Sequence, residues 1–437
     1  MTTPQAAKPS GPPKRGGTVK AAYGTDPPTF DFFANTSFAM FDVLSLAYNR
    51  LVRFQTGADV DLGALTVRPD LAELPEQPDN VTYVFKLKPG VKWHNLAPVN
   101  GRELVADDVV YSFDRWRESV SKSGYAPLLK VEATDKQTVK MTLSEPSAPF
   151  LNRVASVYGF IAPKETATSL KDTVVGSGPF MLKSYQKNSS ITFTRNPDYF
   201  EQGLPYLDAV EVLLINDNSA RLAALSSGQA HVNPSGHSPA EAEQLKAANP
   251  KLVLEETPGL AGYLFFRADK PPFNDVRLRQ AISLAVDRPA MVKALGQGKA
   301  VIEGAIPLAM KDWALTPEQM GEAGKPSRDL KRAKDLYTAT GVNLRTKIFT
   351  GNTYGDNHVT ATEMVKAHTK EIGIDLTIDL QEYSIYISNG YLGKFDEGIG
   401  FSTRAFFVDP DEYTYEKFHP KGVSTRATWT TRSGRSW

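Results

Sequence analysis

No cysteine occurs anywhere in the chain. That absence removes disulfides, thiolate metal sites and cysteine nucleophiles together, and it fits either side of a membrane, because a chain without thiols has nothing to oxidise. Long hydrophobic runs are missing too. No stretch of about eighteen apolar residues exists, so no helix here reads as a membrane span. Charge of one sign is not in excess: 50 basic against 49 acidic side chains leave +1, whereas a nucleic-acid binder normally carries a clear basic surplus. The histidines are few, at 94, 231, 237, 358, 368 and 419, and none has the spacing of a zinc-protease helix.

What is present is ordinary globular material. With 437 residues, 41% hydrophobic and 23% charged, the chain is too long for a single core and long enough for two or three packed lobes. The N-terminal "MTTPQAAKPSGPPKRGG" lacks the apolar core of a signal peptide and reads as a disordered tether. Tethers of this kind follow a signal sequence or lipid anchor, so the chain either begins downstream of one or is cytosolic.

Short alternating segments predict strands at "GGTVKAAYG", "TYVFKLK", a returning Val91–Trp93 after the Lys88-Pro89-Gly90 turn, "TVKMTLSE", the hairpin "PFMLKSYQKNSSITFTR", "LDAVEVLLIN" and "GYLFFRAD". Helical spacing runs through "FAMFDVLSLAYNRLVRF", through "VADDVVYSFDRWRES" with Asp107 as its N-cap, and through "SARLAALSSGQAHV". In "PPFNDVRLRQAISLAVDR", Leu278, Ala281, Ile282, Ala285 and Val286 form a core-facing stripe capped by Asn274 or Asp275. Arg277, Arg279 and Arg288 do not gather on one face, so this helix reads as scaffold. The class is mixed α/β.

Enzyme readings find little to stand on. Adjacent Asp107 and Asp108 at a helix start point different ways, and no matched proton donor accompanies "DPDE" for a carboxylate-based hydrolase. "GSGPF" lacks the Gly-Lys-Ser/Thr ending of a phosphate loop and runs into a strand. Asp409 and Asp411 in "VDPDE" read as a turn rather than a metal site. No catalytic residue, metal or cofactor is expected.

Six segments in a fixed order carry a resemblance: "VTYVFKLKPGVKWH…GRELVADDVVYSFDR", "VVGSGPFMLKSY…ITFTRNPDYF", "ARLAALSSGQAHV", "PPFNDVRLRQAISLAVDRPAMV", "DLKRAKDLYTATG" and "VKAHTKEIGIDLTI". Over about residues 15 to 422 the chain resembles the family 5 solute-binding proteins, the peptide, nickel and opine binders of ABC importers. The resemblance implies a two-lobed periplasmic-binding-protein-like fold of the class II type, with an extra subdomain inserted in lobe I and the ligand enclosed between lobes. On that pattern residues 1–14 are tether, 15–40 and 172–258 lobe I, 41–171 the inserted subdomain, 259–422 lobe II and 423–437 an aberrant tail. It further implies a monomer outside the cytoplasm, anchored by a segment absent from this chain, with the transmembrane subunits of an ABC permease as partners. A small solute, whether peptide, opine, oligosaccharide or metal chelate, would be its cargo. A transporter-independent sensor of the same fold is the alternative that residues alone leave open.

Ligand contacts carry over where motifs align. The loop "GTDPPTFD" makes Asp26, Pro27 and Pro28 candidates; Tyr125 in "SKSGYAPLL" and His358 in "YGDNHVTATE" match cleft positions. Peptide-binding relatives hold an Asp after a Trp just before "DP" or "EP", paired with the peptide's amino group; here Phe406 or Phe407 stands there and no Trp precedes it. Burying an ammonium with no counter-charge costs several kcal/mol, which disfavours a free peptide in the usual pose, and Arg404 nearby suits a carboxylate or phosphate instead. The closing "VSTRATWTTRSGRSW" has no periodicity and few apolar residues; a frameshift at about residues 423 to 427 is the expected cause.

Overall fold

The computed structural model describes residues 11–57, 60, 65–234, 237–254, 262–296, 300–308, 310, 313–316, 318–320, 328–352, 356–391, 393–403, 409–410 and 413–414. It divides into two compact units, Met1–Gly236 with Gln244–Glu256, and His237–Glu243 with Thr257–Trp437.

Unit 1 runs through β1 (Thr18–Tyr23), α1 (Phe38–Leu44), β2 (Val52–Phe54), β3 (Val67–Pro69), β4 (Thr82–Lys86), α2 (Ala106–Glu118), β5 (Leu128–Ala133), β6 (Thr138–Leu143), α3 (Phe150–Ala155), β7 (Phe180–Gln186), β8 (Ser190–Arg195), β9 (Ala209–Leu214) and α4 (Asn218–Ser226). One sheet has the order β1-β9-β8-β7, with β1 and β9 parallel from Thr18↔Ala209 to Tyr23↔Leu214. A second, antiparallel sheet has the order β4-β6-β5. A single core of buried residues joins both, from Phe30, Phe32 and Phe41 through Phe113, Trp116 and Phe150 to Ile191, Phe193 and Val212. A smaller cluster forms where Leu245 of α5 (Pro239–Ala248) meets Ala22, Ala224, Leu225 and Ala230.

Three expectations shift here. The helix read across 38–51 stops at Leu44, because the carbonyls of Leu46 and Ala47 are taken by the amides of Phe180 and Gly178 at 3.0 and 2.8 Å. Val91–Trp93 does return after the Gly90 turn, but it bonds to Arg102 and Leu104, while β4 pairs with β6. The N-cap of α2 is Val105, whose amide donates to Asp108 at the third helical position (3.1 Å); Asp107 is exposed.

His94 is fully buried and bridges the glycines of "GSGPF". Its Nδ1 accepts the Gly176 amide at 3.2 Å, which leaves Nε2–H to donate to the Gly178 carbonyl at 3.0 Å. Burial holds the imidazole down to about 4, against a weaker upward pull from the Gly178 carbonyl. A folded value below the unfolded one near 6.5 gives stability that is complete above that pH and is lost as pH falls toward 4, with a ceiling of about 3 kcal/mol. Asp42, raised to about 6, titrates in the same window with the opposite sign, so a difference between chains is the proper readout. In urea titrations from pH 7.5 to 4, the wild-type advantage over His94→Gln is expected to shrink steadily. An advantage independent of pH would contradict the neutral, doubly bonded ring.

Unit 2 contains β10 (Gly262–Phe265), α6 (Val276–Ala285), α7 (Arg288–Gly296), α8 (Leu330–Thr340), β11 (Arg345–Gly351), α9 (Asp356–Lys370), β12 (Asp375–Gln381) and β13 (Ile399–Thr403). Its sheet has the order β10-β13-β11-β12, mixed parallel and antiparallel. The predicted stripe is found: Leu278, Ala281, Ile282, Ala285 and Val286 are all buried against Ala333, Tyr337, Ile348 and Val365. Asp275 is the cap, accepting the Arg277 amide at 2.8 Å. The arginines serve the helix itself, Arg277 pairing with Asp275, Arg279 donating to the Phe273 carbonyl and Arg288 to that of Ser283.

Candidate functional site

The carboxyl end of β1 is where unit 1 concentrates polar chemistry. In open α/β sheets, ligands favour the region beyond the carboxyl ends of strands, where loops diverge. Beyond Tyr23 the chain turns through Gly24–Pro28, and the Ile215 amide closes the β9 side by donating to the Tyr23 carbonyl at 2.8 Å. Arg221 of α4 braces this end. Its guanidinium donates to the carbonyls of Ile215 and Asn216 and to Asn218 Oδ1, and it packs so closely on Gly24 that a Cβ there would lie 3.0 Å from it.

Asp26 is held on both oxygens. Tyr185 Oη of β7 donates to Oδ1 at 2.8 Å, and the Asn188 amide in the β7–β8 turn donates to Oδ2 at 2.7 Å. Phe30 meets the Tyr185 ring edge-on at 5.2 Å. Pro27 is buried and Pro28 half-buried. The loop is thus fixed in shape, with Asp26 acting as its anchor to the hairpin.

The remaining predicted residues do not join this loop. Tyr125 is 1% exposed; its hydroxyl donates to the Tyr158 carbonyl at 2.7 Å and its ring packs on Phe113. It fills the core of unit 1 rather than facing a solute. His358 lies in the first turn of α9 in unit 2, buried, with its ring edge-on to Phe401 at 5.3 Å. Arg404, Phe406, Phe407 and Asp411 lie outside the described residues, as does the 415–437 tail.

One pair escaped the sequence reading. Asp42 of α1 stands beside the Tyr23 hydroxyl, which hydrogen-bonds it. Burial is the larger influence and pushes the Asp42 carboxyl up to about 6, while the tyrosine pulls it down; the same burial, with the carboxylate next to it, drives the Tyr23 phenol well above its usual range. Yet Asp42 is exposed to solvent, the one residue of α1 that is. The signal was available: Asp42 is the sole charged residue of the helix "FAMFDVL".

Comparison with known proteins places this geometry. Residues 66–425 match the family described as bacterial extracellular solute-binding proteins, family 5 Middle. The chain belongs to that family. The dipeptide-binding protein of Escherichia coli K12 is 31% identical over 389 residues, covering 82% of this chain and 71% of its own length. Among solved structures, an ABC transporter-associated periplasmic binding protein of Helicobacter pylori in complex with the peptide STSA superposes with a TM-score of 0.78 at 28% identity, covering 93% of this chain and 81% of its own. The binding protein MoaA of A. tumefaciens R10, in complex with mannopinic acid, gives 0.81 at 26% identity, covering 95% and 84%. The α/β binding-protein fold expected from the sequence is the one found. This family member is a substrate-binding component, from a family of extracellular proteins that bind their solutes.

Proposed function

We propose that this chain captures a peptide-like or opine-like small solute outside the cytoplasm and hands it to the transmembrane subunits of an ABC permease, performing no chemistry on it. The family match across residues 66–425 carries this reading, and relatives solved with a peptide and with mannopinic acid support the solute class. Solute contact is assigned to the loop Asp26–Pro28, with Asp26 setting its shape, and in unit 2 to His358, Arg404 and Phe406. Tyr125 is left out because its hydroxyl is spent in the core.

Thermal melting of the purified chain against di- to pentapeptides, N-acetylated peptides, opines, oligosaccharides and metal chelates tests the proposal. A ligand that binds only the folded state adds about 2.7 kcal/mol at a hundredfold excess over its dissociation constant, so peptides or opines are expected to raise the melt by several degrees. A melt moved only by oligosaccharides or chelates would replace the solute class. Chromogenic esters and glycosides are expected to show no turnover.

A further inference from the structure

We propose that Asp42 and Tyr23 form a cation seat in unit 1, taking a primary ammonium group of the bound solute. The inference rests on the solute-binding reading above and narrows it to ligands that carry a positive charge. Three observations meet at this place. Tyr23 is the last residue of β1, at the carboxyl end of its parallel pairing with β9, next to the rigid Asp26–Pro28 loop. Asp42 is exposed to solvent and faces the Tyr23 hydroxyl. Among the described residues no lysine, arginine or histidine forms an ion pair with it, whereas its charged neighbours along the chain are engaged: Lys20 with Glu211 at 3.4 Å, Asp26 with Tyr185 and Asn188.

The energetics point the same way. A carboxylate crowded by protein and lacking a counter-charge is strained in its ionised form, as the upward displacement of Asp42 records. A cation arriving from solution relieves that strain, and a charge-assisted hydrogen bond forms at a site already carrying its own donor. The Tyr23 hydroxyl fixes the carboxylate's orientation, so little side-chain freedom is lost on binding. Placing strain where a ligand later cancels it is a common trade of stability for function.

Isothermal titration with the di- to pentapeptides of the melting panel, free and N-acetylated, tests the seat. The wild-type chain is expected to bind free-amine peptides about ten- to a hundredfold tighter than the acetylated forms, the usual weight of a charged hydrogen bond. Asp42→Asn should erase that preference, weakening free peptides by the same factor and leaving acetylated ones within about twofold. Tyr23→Phe should cost free peptides about three- to tenfold. Folding is checked by the ligand-free melt, which Asp42→Asn should not lower, because a carboxyl raised on folding opposes ionisation and the amide removes that opposition. If Asp42→Asn changes neither class, or weakens both equally, the cation seat is wrong. If only acetylated peptides bind the wild type, the solute reading stands and the seat falls; if no peptide of either kind binds, both fall.

Discussion

Replacing Arg102 with leucine is expected to destabilise unit 1 by about 3–5 kcal/mol, the cost of stripping a buried carboxylate of its partner. The carboxylate is that of Asp108, wholly inaccessible to solvent. The Arg102 guanidinium grips both its oxygens at 2.7 and 2.6 Å, and with its other edge grips both oxygens of Glu165 at 2.6 Å. Two neutral donors would remain to Asp108, the Trp93 indole at 3.2 Å and the Val105 amide at 3.1 Å. They cannot offset a full charge in a low-dielectric interior. Glu165 is partly exposed and water replaces its lost partner, so Glu165→Gln should cost no more than about 1 kcal/mol. Asp107→Ala separates the two readings of the helix start: with Asp107 exposed and outside the cap, it too should stay within about 0.5 kcal/mol. Urea midpoints of the three variants decide the matter. An Arg102→Leu chain within 1 kcal/mol of wild type would show that Asp108 is neutral or rehydrated, and the argument would fail.

Local pattern carried much of the fold. The period-2 alternation of Val139, Met141 and Leu143 became β6 with those three buried, and the 3.6-period stripe of α6 is buried residue for residue. Both patterns arise within a few residues of chain, where side-chain direction is fixed by backbone geometry. What sequence could not show depends on partners far along the chain. The end of α1 is set by residues 178 and 180, and His94 is explained only by Gly176 and Gly178. Tyr125 was read as a ligand contact because a tyrosine hydroxyl suits a pocket, but the Tyr158 carbonyl 33 residues away already uses it. Asp26 was found for the right place and a different task, since the hairpin that claims its oxygens lies about 160 residues on. Asp42 went unread for the converse reason: a single acid in an apolar helix gains meaning only when Tyr23 is seen beside it.

Gly176→Ala is expected to cost more than about 4 kcal/mol, beyond the usual 1–3 kcal/mol of an overpacked core. A Cβ on Gly176 would lie 1.8 Å from the Ala47 carbonyl oxygen and 2.6 Å from its carbon, and one on Gly178 would lie 2.6 Å from the same carbon. These are backbone atoms, so no side chain can swing aside. Nor can the strand of contacts relax as a body. The Gly176 carbonyl accepts from the His94 amide at 2.8 Å, the Gly178 amide donates to Ala47 at 2.8 Å, Asn196 reaches the Gly178 carbonyl at 3.0 Å, and Ser177 holds Asn49, which in turn holds buried Asp70. Gly90 is the control. Its φ of +74° demands a left-handed residue, but nothing lies within 4 Å of its would-be Cβ, so Gly90→Ala should cost only the conformational strain, about 1–2 kcal/mol. Ser177→Ala removes one hydrogen bond and should cost about 1 kcal/mol. If Gly176→Ala melts like Gly90→Ala, the close approach of the two backbones is not required for folding. If it melts far lower, the glycines of "GSGPF" are there so that one segment can lie against another, and because β7 begins at the next turn and carries Tyr185, the same approach sets the hairpin that anchors Asp26.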